Sequence, residues 1–243
     1  DQFIMPEGYS PDSVVTPTVF DVEFIREIRN EAEEKMQELV TQLKNQWGEE
    51  VSLDTRIESG TPDVAILTAA SDFQADIIIL GAVGLGHKDH FSGGTAEFLM
   101  KHSQKPVLAI PVGSGYKGLN KAIYAIDPAH FQQAEFNKIK EFFKPFHTKI
   151  YYLVLCYNPK DRPDEATLAQ WRDLVGNQAS FQIVDCDQPH DGLHLSIQNI
   201  QPDIIAFHFF KESFFSRWFK PVISRKELYK ANLPLISFPE IEE

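Results

Sequence analysis

The chain has 243 residues, 43% hydrophobic and 24% charged, the balance of a folded globular protein rather than a disordered one. Its formal net charge of −12 repels phosphate backbones and anionic bilayers, so neither nucleic acid nor a membrane surface is an expected partner. No run approaches the roughly 20 apolar residues of a membrane helix. The two cysteines, Cys156 and Cys186, are too few for a disulfide framework and form no CxxC pair, which favours a reducing, cytoplasmic setting.

Residues 1–17 hold Pro6, Gly8, Pro11 and Pro17 and read as loop. From Val22 to about Trp47 apolar residues recur at three- and four-residue spacing (Phe24, Ile25, Ile28, Ala32, Met36, Leu39, Val40, Leu43), which predicts an amphipathic helix. Val51 to Ile57 alternates as a strand does. Thr61-Pro62-Asp63 opens a second helix. Asp76 to Leu80 (DIIIL) is a short continuous apolar run, the mark of a buried parallel strand. A glycine-rich loop, a helix from Thr95 to about His102 and an apolar strand from Val107 to Ile110 follow.

Residues 113–118 (GSGYKG) read as a linker. The order then begins again. Strands are predicted at Lys121–Ile126, Ile150–Cys156, Phe181–Val184, Ile204–Phe207 and Leu235–Phe238. Helices are predicted at Phe131–Phe146, Glu165–Val175, Leu193–Ile200 and Ile223–Tyr229. The repeat is visible in letters: ADIIILGAVG meets PDIIAFHFFK, and KHSQKPVLAIP meets YKANLPLISFP. Alternating strands and helices imply parallel sheets with right-handed crossovers. The fold expected is therefore α/β: two doubly wound, Rossmann-like domains in tandem, at residues 1–113 and 119–239. The second half holds five strands and the first only the last three. A strand-helix-strand unit of about 40 residues at typical element lengths is expected to precede Asp1.

The chemistry lies in residues 81–95 (GAVGLGHKDHFSGGT), which leave an apolar strand and enter a helix. Glycines there let a phosphate approach the backbone amides, and the helix start points free N–H groups and its positive dipole end at the same place. The spacing Gly81-x-x-Gly84, nine residues, Gly94-Thr95 resembles the ATP-binding signature of universal stress proteins, and the flanking ADIIILG and KPVLAIP fit that family too. The resemblance spans essentially the whole chain, as one partial and one complete repeat. It implies that Gly81, Gly84, Gly94 and Thr95 contact the triphosphate and ribose of ATP, with Mg2+ an optional companion. The same glycines would also serve a tight strand-to-helix connection; nucleotide binding is the preferred reading. No Gly-Lys-Ser/Thr is present, so this is not a Walker loop.

The family also holds an acidic residue after the first strand against the adenosine. Asp127, after KAIYAID, matches that position in the second half, but the glycines do not survive there. His208 and Phe209 occupy the turn, followed by Phe214, Phe215 and Trp218, so packing or a protein partner is expected in place of ATP. Asp127, His130, Cys156, Asp185, Asp187, His190 and His208 gather at strand ends and are of types that bind zinc. Ordinary polar loop residues are the preferred reading, and no metal site is expected. His190 and His194 are four apart, but Gly192 weakens any helical pairing between them. His87, His90 and Lys88 read as a solvated part of the loop.

No catalytic set emerges: there is no GxSxG, no HExxH and no Walker B aspartate. The expected function is adenine-nucleotide binding in a stress-response regulator without robust catalysis. The alternatives are a nucleotide-free protein-interaction scaffold and a weak ATP hydrolase. Two apolar final strands, Val107–Ile110 and Leu235–Phe238, each end in proline and would aggregate as bare edges. They are expected to pair antiparallel with each other, so that one chain imitates a dimer while other surfaces remain for homo-oligomers.

Overall fold

The computed structural model describes residues 19–81, 94–111, 113–176, 180–210 and 233–240. It divides into two compact units, residues 1–59 and 60–243. In the first unit, α1 runs from Val19 to Trp47 and continues into a 3-10 turn, Gly48–Glu50. Its polar face carries i,i+4 pairs, Arg29 with Glu33 and Lys35 with Glu31, each a small contribution at this exposure. Val51 to Ile57 is not a strand. Alternation alone does not hold an extended segment. Its N–H and C=O groups need a ladder partner, and among the described residues none pairs with it.

The second unit is built on one sheet of seven strands: β1 (Ile78–Gly81), β2 (Val107–Ile110), β3 (Lys121–Ile126), β4 (Lys149–Cys156), β5 (Ser180–Asp185), β6 (Ile204–His208) and β7 (Leu235–Phe238). Their order across the sheet is β1-β2-β7-β6-β3-β4-β5. Every neighbouring pair is parallel except β2 with β7, which is antiparallel with Leu108 opposite Ile236. The apolar edges expected to meet do meet, in the ladder expected. Strands β3 to β7 alone give the doubly wound order in which the first and fourth strands lie side by side at the switch point.

Helices cover both faces, which is why β3 reads as a continuous apolar run. On one face Ile123, Ala125, Leu155 and Phe207 pack with residues of α2 (Pro62–Asp72), α3 (Thr95–His102) and α6 (Pro189–Ile200). On the other, Ala122, Tyr124, Val154 and Ile236 pack with Phe136, Ile139, Leu168 and Trp171 of α4 (Ala134–Phe143) and α5 (Glu165–Val175). Helix α5 has the caps its sequence offers. The Asp164 carboxylate accepts from the Thr167 amide at 2.8 Å, and Gly176 closes the last turn at φ 96°. The Asp203 carboxylate accepts the amides of Asn120 and Lys121, which ties the start of β3 to the entry of β6.

Several boundaries differ from the sequence reading, and two of them have a clear cause. Helix α4 starts at Ala134 rather than Phe131, because Asp127 turns the chain by accepting the Ala129 amide. The Phe131 ring leaves the helix to pack at 4.6 Å from both Phe136 and Trp171. Helix α6 starts four residues early because Pro189 suits the first helical turn. Gly192 lies inside it. A Cβ there would meet Leu155 at 2.9 Å and Val184 at 3.0 Å, so the glycine lets α6 close onto β4 and β5. The segment Ile223–Tyr229 and residues 1–17 lie outside the described residues.

Ile236 is fully buried in the β2–β7 seam. Ile236→Ala is expected to cost about 2–5 kcal/mol, as a cavity in a packed core does. Urea denaturation measures this, and a midpoint equal to wild type contradicts a buried seam.

Candidate functional site

Strand β1 ends at Gly81 and α3 begins at Thr95 with Gly94 as its N-cap. Gly84, His87, Lys88 and His90 lie outside the described residues. Gly94 has φ −89° and ψ 164°, a conformation open to any residue. A Cβ built on Gly94 or on Gly81 meets no atom within 4 Å. The described fold therefore demands glycine at neither place, either for backbone conformation or for its own packing.

A cavity of about 410 Å³ lies beside the start of α3, lined by Thr61, Asp63, Gly94, Thr95, Glu97 and Lys101 among others. Its volume is in the range of small-ligand sites. The first turn of α3 stands beside it, and the helix dipole there favours an anion. Glu97 holds Lys101 one turn away. The His102 ring lies 4.1 Å from that of Phe98, with Nδ1 2.8 Å from the Phe98 carbonyl. Three of the four residues expected from the sequence, Gly81, Gly94 and Thr95, thus flank one strand-to-helix connection at the carboxyl end of β1.

The corresponding place in β3–β7 is built differently. Asp127 follows β3 and is buried; Oδ1 accepts the Ala129 amide and Oδ2 lies 3.2 Å from His130 Nδ1. His208 ends β6. Its ring lies between Phe210 (6.4 Å) and Phe238 (5.3 Å), and Phe210 in turn stacks on His130 at 6.0 Å. Side chains fill the switch point between β3 and β6. Phe214, Phe215 and Trp218 lie outside the described residues.

Beneath this stack is a polar group that the sequence reading did not pick out. Tyr124, Glu135 and His208 are all buried. The Tyr124 hydroxyl makes a short hydrogen bond with Glu135 Oε2 and lies 2.9 Å from His208 Nδ1, and Nδ1 lies 3.3 Å from Oε2. Glu135 Oε1 accepts the Gln132 amide at 2.8 Å. Among the described residues His208 Nε2 has no partner. Burial pushes the Glu135 carboxyl up to about 7 against the pull of the Tyr124 and Gln132 hydrogen bonds. Burial, helped by Lys138, pushes His208 down to about 3. A tyrosine inside KAIYAI was the available signal, since a hydroxyl in a strand buried on both faces needs a partner.

The candidate zinc ligands do not assemble. No group of three among the described residues is placed to hold a metal ion. Arg162 takes Asp185, and burial raises the Cys156 thiol to about 11, which keeps it protonated. His194 sits on α6 with Nε2 2.9 Å from Gln198.

Residues 12–111 match the model of the universal stress protein family. The fold is similar to that of a universal stress protein from Archaeoglobus fulgidus DSM 4304, with a TM-score of 0.66 at 15% identity, covering 90% of this chain and 79% of that one. It is similar also to a protein provisionally described as a universal stress protein from Pseudomonas aeruginosa UCBPP-PA14 (TM-score 0.55, 13% identity, 85% and 78% covered). A third likeness is to a protein of unknown function from Pseudomonas aeruginosa PAO1 (0.54, 13%, 85% and 77%). No curated protein matches the chain. Identities this low speak for the fold alone: a mixed α/β, mainly parallel sheet like that of the universal stress proteins. No described helix is long and apolar enough to cross a membrane.

The buried pair sets a dependence of stability on pH. Raised above its ordinary 4.5, Glu135 contributes stability that is present below 4.5 and lost as pH rises through about 7. Lowered from its ordinary 6.5, His208 contributes stability that is present above 6.5 and lost as pH falls towards about 3. Between 4.5 and 6.5 the two slopes cancel, because the folded and unfolded pairs each carry one proton. Glu135→Gln leaves only the histidine slope, so relative to wild type its stability should rise with pH across this window by about 1.4 kcal/mol per unit. Urea midpoints of both proteins from pH 4.5 to 6.5 measure the difference; parallel profiles refute the assignment.

Proposed function

We propose that the chain is a tandem universal stress protein that binds an adenine nucleotide, ATP with Mg2+, in its first half and acts as a stress-response regulator without robust catalysis. The observation that carries this reading is the bare backbone at Gly81 and Gly94, which no packing of the described residues requires, beside a helix start and a cavity of about 410 Å³. The family match at residues 12–111 takes in this connection. The switch-point order of β3 to β7 supports a second repeat of the same unit. There the aromatic stack around His208 and Phe210 takes the space a nucleotide would need, so this repeat supports the first rather than binding ATP itself.

The anion would meet the α3 amides and the Thr95 hydroxyl, and Gly81 and Gly94 would admit it to contact distance. A protein-interaction scaffold is the second reading. It is favoured by α1, where Phe24, Ile25, Ile28 and Leu39 leave about half or more of their surface exposed.

Gly94→Val adds bulk where the described structure has space, so folding stability should stay near that of wild type. ATP affinity should fall by about 1–3 kcal/mol, the scale of a lost phosphate contact, and Thr95→Ala should weaken it in the same sense. Isothermal calorimetry of the three proteins reads the affinities. Unchanged affinity in both variants removes the site. A wild-type chain that binds no ATP hands the argument to the scaffold reading.

A further inference from the structure

Three buried side chains from three elements meet where β3, β6 and α4 pack together. Tyr124 comes from β3, Glu135 from the first turn of α4, and His208 from the end of β6. Their polar atoms form a line: Glu135 Oε2, the Tyr124 hydroxyl, His208 Nδ1. The far imidazole nitrogen, Nε2, is buried without a partner. The other end is anchored, since Glu135 Oε1 accepts the Gln132 amide and the Glu135 amide donates to the Gln132 carbonyl. The group is therefore mechanically joined to the turn from Asp127 to Gln133. The titratable neighbours are Asp127 at the end of β3, Lys138 one turn along α4, His130 across the Phe210 ring, and Tyr152 on β4, whose ring lies 6.1 Å from that of Tyr124.

A hydroxyl between a carboxyl and an imidazole can donate in only one direction at a time. With the carboxyl protonated, Oε2–H donates to the Tyr124 oxygen, the Tyr124 hydrogen points at Nδ1, and His208 is the neutral Nε2–H tautomer. With the carboxylate ionised, the Tyr124 hydrogen points at Oε2, Nδ1–H donates to the Tyr124 oxygen, and Nε2 is bare. The first state holds three hydrogens and the second two. Passing between them moves one hydrogen from Oε2 to the Tyr124 oxygen, one from that oxygen to Nδ1, and releases one proton from Nε2. Both states satisfy every polar atom of the line except Nε2, so each is a complete arrangement.

We propose that Glu135, Tyr124 and His208 form a one-proton switch, in which loss of a single proton reverses the hydrogen-bond line and signals to the turn at residues 127–133 through the Gln132 amide. The device is independent of nucleotide binding in the first half. Burial places the change near neutrality by raising the carboxyl to about 7 and keeps His208 uncharged throughout, with its own protonation pushed down to about 3.

Long-range 1H–15N NMR of the whole chain reads the tautomer of a histidine directly, and His208→Asn identifies its signals. His208 should be the Nε2–H tautomer at pH 5.5 and the Nδ1–H tautomer at pH 8.5, with a midpoint near 7. The Gln132 amide shift should follow the same midpoint. In Glu135→Gln, whose side-chain amide copies the protonated carboxyl, His208 should stay Nε2–H across the range. Should that variant not fold, the 13C carboxyl shift of Glu135 in the wild-type chain serves instead, and must share the His208 midpoint. A tautomer that is constant in wild type, one that switches equally in Glu135→Gln, a carboxyl midpoint apart from that of His208, or a cationic His208 at pH 5.5 each overturns the proposal.

Discussion

The antiparallel ladder between β2 and β7 is the contact on which the sheet depends. Five parallel strands end at β7 and two more begin at β2, and both strands are apolar: Val107-Leu108-Ala109-Ile110 and Leu235-Ile236-Ser237-Phe238. Left bare, each would be an edge able to recruit another chain. Paired, with Val107 opposite Ser237 and Ala109 opposite Leu235, each closes the other. The reversal of direction has a further effect. The carboxyl end of β1 lies at one end of the seam and that of β6 at the opposite end. The two strand ends therefore lie at opposite edges of the layer.

The described residues at the two ends differ in side-chain volume. At the end of β1 the described residues are Gly81, Gly94 and Thr95, and a Cβ on either glycine meets none of the other described residues. At the end of β6 they are His208, Phe209 and Phe210, all buried. A tight connection needs neither arrangement. Bare backbone suits a ligand that supplies its own bulk and charge. Aromatic rings supply that bulk from within, and burial beneath them raises the Glu135 carboxyl and lowers the His208 imidazole.

Most of the second unit was legible because its signals are local. The apolar runs Lys121–Ile126 and Leu235–Phe238 are strands with the bounds their composition gives, and α5 spans Glu165–Val175 as its spacing predicts. Val51–Ile57 was misread because alternation records a willingness to pair and says nothing of a partner. The start of α4 was misread because Phe131 is drawn out of the helix by Trp171, a contact 40 residues away that no local pattern contains. The site divides in the same way. Glycine spacing singles out Gly81 and Gly94, which the fold places at the end of β1 and the N-cap of α3. Glu135 looks like any acidic residue in a first helical turn. Only the packing of α4 over β3 and β6 turns it into a buried acid beside a phenol.

The proposed nucleotide site lies at the end of β1, and the aromatic stack at the end of β6 on the same sheet. Photo-crosslinking with 8-azido-ATP, followed by peptide mapping of the labelled residues, tests this arrangement most directly. The account predicts label on peptides from residues 61–111 and none on peptides holding Asp127 or His208–Phe210. Label at Asp127, His208 or Phe210, competed away by ATP, would contradict it.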